Sequence, residues 1–209
     1  MVSKGRQFKE LIQGREIVIQ PGIYDGYTAR LVEAAGFRSA TISGAGVSES
    51  RMGWADRGVM TFEENLANAR RLADCTELLL RADADTGYGN AMTVHFVVRA
   101  FEKAGMASLM FEDQVWPKRC GHMKGKACIP AEEMVQKVKA AVDASRDPDF
   151  VIVSRTDAAG THGVDEAIRR LNLYAEAGAD VVYADALLSK ADIAKVAKSV
   201  PQPLIVNMG

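Results

Sequence analysis

Short apolar runs rich in β-branched residues alternate along the chain with longer stretches in which apolar positions recur every three or four residues. The first pattern fits strands buried on both faces and the second fits amphipathic helices. A polar helix is expected from about Ser3 to Gln13, then a first strand from Glu16 to Gln20 that Pro21-Gly22 breaks. Asp25 is placed to cap a helix that closes at Gly36. The second strand, Arg38 to Ser43, runs into a small-residue loop, Gly44-Ala45-Gly46, that leads to Asp56. Thr61 and Glu64 form a capping box for a helix ending near Cys75. A third strand at Leu78 to Asp83, a helix at about Met92 to Ala104 and a fourth strand at Ser108 to Glu112 follow, and then a long irregular loop, Asp113 to Ile129. Pro130 opens a helix whose Met134, Val138 and Ala141 share one face. Strands at Phe150 to Ser154, Val181 to Ala184 and Leu204 to Val206 enclose helices at Val164 to Ala177 and Lys190 to Lys198.

Strands alternating with helices in this way indicate parallel βα units. A weak repeat agrees: Ala35-Gly36-Phe37, Ala104-Gly105-Met106 and Ala177-Gly178-Ala179 each end a helix before a strand. Glycine at a helix C-terminus has an ordinary backbone explanation, so the repeat bears on architecture alone. Polar residues stand at the C-terminal end of strand after strand: Ser43, Asp83 with Asp85, Glu112 with Asp113, Arg155 with Asp157, Asp185 and Asn207. In a parallel barrel these ends share one face, where the βα loops build the active site. A doubly wound sheet is the alternative, but it gathers ligands at one switch point, and Gly44-Ala45-Gly46 lacks the third glycine of a dinucleotide-binding turn.

At 209 residues, with 48% hydrophobic and 25% charged residues and a net charge of -1, the sequence describes one ordinary globular domain over residues 1–209. It is too weakly basic for a nucleic-acid partner, and it contains neither a membrane-length apolar run nor a signal-peptide core. Cys75, Cys120 and Cys128 have no framework spacing and read as thiols in a reducing cytoplasm. Cys120, His122 and Cys128 lack a fourth ligand for zinc.

Two stretches carry candidate chemistry. In Leu78 to Gly89 an apolar run turns acidic; on an extended chain Asp83 and Asp85 share a face and repel, so a hard divalent cation, Mg²⁺ or Mn²⁺, fits between them better than solvent alone. Tyr88 stands where an EF-hand loop requires glycine. Arg81 falls on the same face, either as a counter-charge below the carboxylates or because the strand bends. In Asp113 to Ile129, the run Lys118-Arg119-Cys120-Gly121-His122 places cations around a thiol, conditions that lower a cysteine pKa. Cationic groups beside a metal site suit an anionic carboxylate substrate, and Gly121 and Gly125 allow the loop to move. His95 and His162 read as structural.

Asp83-Ala-Asp-Thr-Gly-Tyr-Gly, Phe111-Glu-Asp-Gln and Lys118-Arg-Cys-Gly-His together resemble the isocitrate lyase and phosphoenolpyruvate mutase superfamily, in particular its 2-methylisocitrate lyase-like branch, from about Pro21 to Asn207. The resemblance implies an α/β fold, a (β/α)₈ TIM-type barrel, here truncated after the seventh strand with the eighth unit and the C-terminal helices absent. It implies a homo-oligomer, a tetramer. It also implies Mg²⁺ near Asp83, Asp85 and Glu112, partly through water, with Asp56 close by. Ser43, Gly44 and Ala45 would hold a substrate carboxylate, Arg155 would bind the substrate, and Asn207 would line the pocket. Cys120 would be the acid-base residue, supported by Lys118, Gly121 and His122. The implied activity is Mg-dependent carbon-carbon cleavage of a 2-hydroxy di- or tricarboxylate to a 2-oxo acid. Phosphonomutase, dimethylmalate lyase, oxaloacetate cleavage and a non-catalytic binding protein or inactive fragment are the alternatives. The sequence departs from methylisocitrate lyases at Asp185, Ala45 and Thr41, where they carry Glu, Gly and Tyr; these departures bear on the substrate.

Overall fold

A computed structural model describes residues 2–121 and 123–208. Seven parallel strands pair strictly in sequence order and curl into part of a barrel: β1 (Gly22–Ile23), β2 (Ser39–Ile42), β3 (Leu79–Asp83), β4 (Ser108–Glu112), β5 (Val151–Thr156), β6 (Val181–Ala184) and β7 (Leu204–Ile205). A short helix, α1 (Lys4–Ile12), precedes them. The connecting helices are α2 (Gly26–Ala34), α3 (Gly44–Arg51), α4 (Phe62–Cys75), α5 (Ala91–Lys103), α6 (Ala131–Ala144), α7 (Ala158–His162), α8 (Val164–Glu176) and α9 (Lys190–Ser199).

Strand alternation builds two cores. Outward residues such as Ile42, Leu80, Leu109, Phe111 and Ile152 pack against the helices, with Phe101, Leu171 and Tyr174 completing that layer. Inward residues Leu79, Met110, Val151, Val153, Val181 and Tyr183 pack with Phe8 of α1. The same parity sends Asp83, Glu112 and Arg155 inward at the strand ends. Each fully buried apolar side chain of this kind contributes about 1.5–3 kcal/mol.

The capping signals operate locally as the sequence indicates. The Asp25 side chain accepts the Thr28 N–H at 2.8 Å, and Thr61 with Glu64 closes the box on α4. Three expectations are corrected. Residues 16–20 form no strand, and Ile17 and Ile19 are 92% and 66% exposed. Register explains this: Gly22 pairs with Thr41, so residues 16–19 lie opposite the turn before β2, where no strand is available. The small-residue loop is instead the first turn of α3, nucleated by Ser43, whose Oγ accepts the Gly46 N–H at 3.0 Å. The third correction concerns Asp85, which does not extend β3: its φ is 49°, and its N–H returns to Asp83 Oδ1 at 3.0 Å, so a turn rather than the pleat brings the two carboxylates together. In addition β5 runs two residues further than expected, to Thr156, and α7 forms directly after it.

Candidate active site

A cavity of about 1090 Å³ opens at the C-terminal ends of the strands and continues down the bore towards α1. Ser43, Ala45, Asp56, Asp83, Lys118, Cys120, Gly121, Arg155, Asp185 and Asn207 all line it. Asp85 and Glu112 are buried immediately behind this wall. His122 lies outside the described residues.

On the acidic side, Gly44 at the start of α3 faces both aspartates: a Cβ there would lie 3.1 Å from Asp83 Oδ2 and 3.5 Å from Asp85 Oδ1. Lys118 Nζ reaches in to 2.5 Å from Asp56 Oδ1 and 2.9 Å from Asp85 Oδ1. The basic residue expected beside the thiol therefore directs its charge at carboxylates. Burial lowers the Lys118 pKa, but Asp85 and Glu112 outweigh it and hold the ammonium charged. Burial pushes Asp85 up to about 6 despite Lys118, and pushes Glu112 well above its ordinary value despite Arg155. Arg81 lies in the bore beneath Asp83, its Nε donating to Thr41 Oγ1 at 3.2 Å, which favours the counter-charge arrangement. Burial lowers its pKa to about 10.

On the other side, Arg155 is enclosed by acids. Its guanidinium donates to both Asp157 oxygens at 2.9 and 3.0 Å, lies 3.2 Å from Glu112 Oε2 and 3.3 Å from Asp185 Oδ2, and covers the Tyr183 ring. Asp185 also accepts from Tyr183 at 2.9 Å. Gly121 rests directly on this pair: a Cβ there would be 2.5 Å from Asp185 Oδ2 and 2.6 Å from Arg155 Nη2. The Cys120 N–H is anchored on Asp56 O at 3.1 Å.

Sequence reasoning missed Lys126, which binds Asp157, Asp185 and the Gly121 carbonyl. It also grouped Asp113 with Glu112, whereas Asp113 points outward and accepts from Thr156, Arg170 and Tyr174. Cys128 belongs to the same outer layer: its Sγ lies 3.6 Å from Thr161 Oγ1, and burial with Asp113 nearby pushes the thiol up to about 12.

Glu112 Oε1 is buried without a hydrogen bond, and Asp85 Oδ1 meets only the Lys118 ammonium at 2.9 Å. Asp56, Asp83, Asp85, Glu112, Asp157 and Asp185 outnumber the cations Lys118, Lys126, Arg81 and Arg155 around them. Among the described residues no three His, Cys, Asp or Glu side chains are drawn tightly enough together to hold an ion by themselves. An oxygen-rich, electron-surplus site of this kind suits an ion such as Mg²⁺, which keeps several waters and takes few protein ligands.

A parallel α/β barrel with an acidic cluster at the strand mouths and a basic loop across it defines a class of barrel enzymes. Residues 8–209 match the phosphoenolpyruvate phosphomutase family, and the chain belongs to that family and to the wider isocitrate lyase/phosphoenolpyruvate mutase superfamily. It is 41% identical to a 2,3-dimethylmalate lyase of Eubacterium barkeri over 97% of its length and 70% of the relative's. It is 42% identical to a 2-methylisocitrate lyase of Aeropyrum pernix, covering 98% and 65% of the two chains. With a chloroplastic carboxyvinyl-carboxyphosphonate phosphorylmutase of Arabidopsis thaliana the identity is 41%, covering 97% and 61%. The chain thus spans about two thirds of these relatives. A crystal structure of 2,3-dimethylmalate lyase superimposes with a TM-score of 0.95 at 34% identity, over all of this chain and 71% of the other. A phosphonopyruvate hydrolase solved with oxalate and Mg²⁺ gives 0.86 at 29% identity, over 97% and 71%. Among the described residues no helix is long and apolar enough to cross a membrane.

Proposed function

We propose that this chain belongs to a divalent-metal-dependent carbon-carbon lyase that cleaves a 2-hydroxy di- or tricarboxylate to a 2-oxo acid and a second carboxylate. The observation that supports the reading is Asp83 on the wall of a cavity that Cys120 also lines, with Asp85 and Glu112 buried directly behind it and Glu112 Oε1 left without a hydrogen bond. Asp83, Asp85 and Glu112 would hold Mg²⁺ or Mn²⁺, which when bound supplies Lewis-acid polarisation of the substrate's hydroxyl and adjacent carboxylate.

The chain's own residues supply the rest. At the first turn of α3, Gly44 and Ala45 would offer backbone N–H groups to a carboxylate, with the Ser43 side chain beside them. Arg155 offers a second, cationic contact to the substrate anion. Lys118, with Asp56 as its partner, contributes a permanent positive charge where negative charge grows as the bond breaks. Cys120 Sγ is the proton donor to the departing fragment. Asp185 and Asn207 shape the substrate end of the pocket. His122 is assigned to the same loop from its sequence position. The dimethylmalate and methylisocitrate lyase relatives support this reading, as does the oxalate complex of the hydrolase, oxalate being a small dicarboxylate. A homo-oligomer, a tetramer, and a cytoplasmic location accompany the proposal.

The test is a panel of 2-hydroxy acids assayed for 2-oxo acid release with and without chelator. Release should require Mg²⁺ or Mn²⁺, and Cys120→Ser should lower turnover by about 10²–10⁴-fold with Mg²⁺ affinity unchanged. Unaltered turnover in that variant would remove Cys120 from the chemistry. The equal identity to a phosphorylmutase favours one second reading, phosphonate chemistry on the same scaffold. Phosphorus NMR with a carboxyphosphonate substrate separates the two.

A further inference from the structure

The side chain of Lys126 is 4% exposed, and its ammonium directs donors at three acceptors: Gly121 O at 2.7 Å, Asp157 Oδ1 at 2.6 Å and Asp185 Oδ2 at 2.9 Å. One acceptor is the carbonyl of Gly121, the residue after Cys120. The other two are also the acceptors of Arg155, whose Nη2 lies 3.0 Å from Asp157 Oδ1 and 3.3 Å from Asp185 Oδ2. Two cations from different segments therefore share the same two carboxylate oxygens. Asp157 is a fixed acceptor, because its N–H is bonded to Asp113 Oδ1 at 3.0 Å. Gly121 has no room to shift inward, since even a methyl group there would overlap Asp185 and Arg155.

We propose that Lys126 is a positioning residue that holds Gly121, and with it the neighbouring Cys120, on Arg155 and Asp185, and that it ties this seat to the anion held by Arg155. The nature of that anion, a substrate carboxylate, rests on the proposed function. An anion drawing on the Arg155 guanidinium weakens its hold on Asp157 and Asp185. Their oxygens then bind the Lys126 ammonium more strongly, and the Gly121 carbonyl with it. By linkage, a firmly seated Gly121 favours the anion in return.

The probe is oxalate with Mg²⁺, and the readout is the rate at which iodoacetamide alkylates Cys120, followed by peptide mass spectrometry. In the unaltered chain oxalate should slow alkylation by about tenfold. In Lys126→Met the unprotected rate should rise by about tenfold and oxalate should protect less than about twofold. Calorimetry should still detect oxalate binding to the variant. A folded Lys126→Met alkylated and protected like the parent overturns the proposal. If that variant does not fold, hydrogen exchange of the Cys120 and Met123 amides in the unaltered chain decides: slowing by oxalate supports the coupling and no change overturns it. Failure of oxalate and Mg²⁺ to bind the unaltered chain would instead overturn the proposed function, so the two failures are distinguishable.

Discussion

At the scale of single residues, charge partners outweigh burial at some positions and yield to it at others. Burial alone would raise the Asp185 carboxyl, yet Arg155 and Lys126 hold it at about 2, below its ordinary 3.8. Its folded value is the lower one, so its contribution, about 2 kcal/mol, is complete above the unfolded value and is lost as pH falls towards about 2. Urea unfolding at about pH 5 and about pH 2 should show the parent losing about 2 kcal/mol more than Asp185→Asn. Equal losses would mean that the carboxyl titrates as it does in the unfolded chain. For Asp85 and Glu112 burial wins, and for that reason they invite a cation. Of these residues Asp83, Asp85, Glu112 and Asp185 were legible as acids at strand ends. Lys126 was not: its carboxylate partners lie 31 and 59 positions away, and no local pattern encodes a contact of that range.

At the scale of elements, the end of β4 and the start of the following loop are tied to α8 through one buried carboxylate. Asp113 accepts from the Arg170 guanidinium at 3.0 Å, the Tyr174 hydroxyl at 2.7 Å and the Thr156 hydroxyl at 2.7 Å. Asp113→Ala would leave Arg170 with Glu166 as its carboxylate partner and strand the Tyr174 and Thr156 hydroxyls, and it should lower unfolding free energy by about 1–3 kcal/mol in urea titrations. A loss under about 1 kcal/mol would show that the cluster relaxes without it. Helices with side-chain caps could be read from the sequence because Asp25, and Thr61 with Glu64, act within one turn. The first strand could not, because its extent depends on where β2 begins and not on its own apolar run. Helix α3 was hidden by its two glycines, which score poorly as helix formers yet are tolerated in a first turn capped by Ser43.

At the scale of the whole molecule, an acidic surplus inside the bore makes stability responsive to counter-charge. Mg²⁺ at about 100 times its dissociation constant should raise unfolding free energy by about 2.7 kcal/mol, seen as a higher midpoint in calorimetric scans. Asp85→Ala should abolish that response, and a variant still stabilised by Mg²⁺ would place the ion elsewhere. The alternation of inward and outward residues that made the barrel legible also locates this surplus, since every acid in it except Asp56, which follows α3, lies at the C-terminal end of a strand or just beyond it.

Glu112 and Asp113 are adjacent in the chain but face opposite layers, one lining chemistry and the other fastening a helix. Randomising the inward member of such pairs should yield a library of folded proteins with altered selectivity. The same randomisation one position along should yield mostly insoluble ones. Such a layout lets a scaffold be re-tasked by substitutions that never touch its joinery.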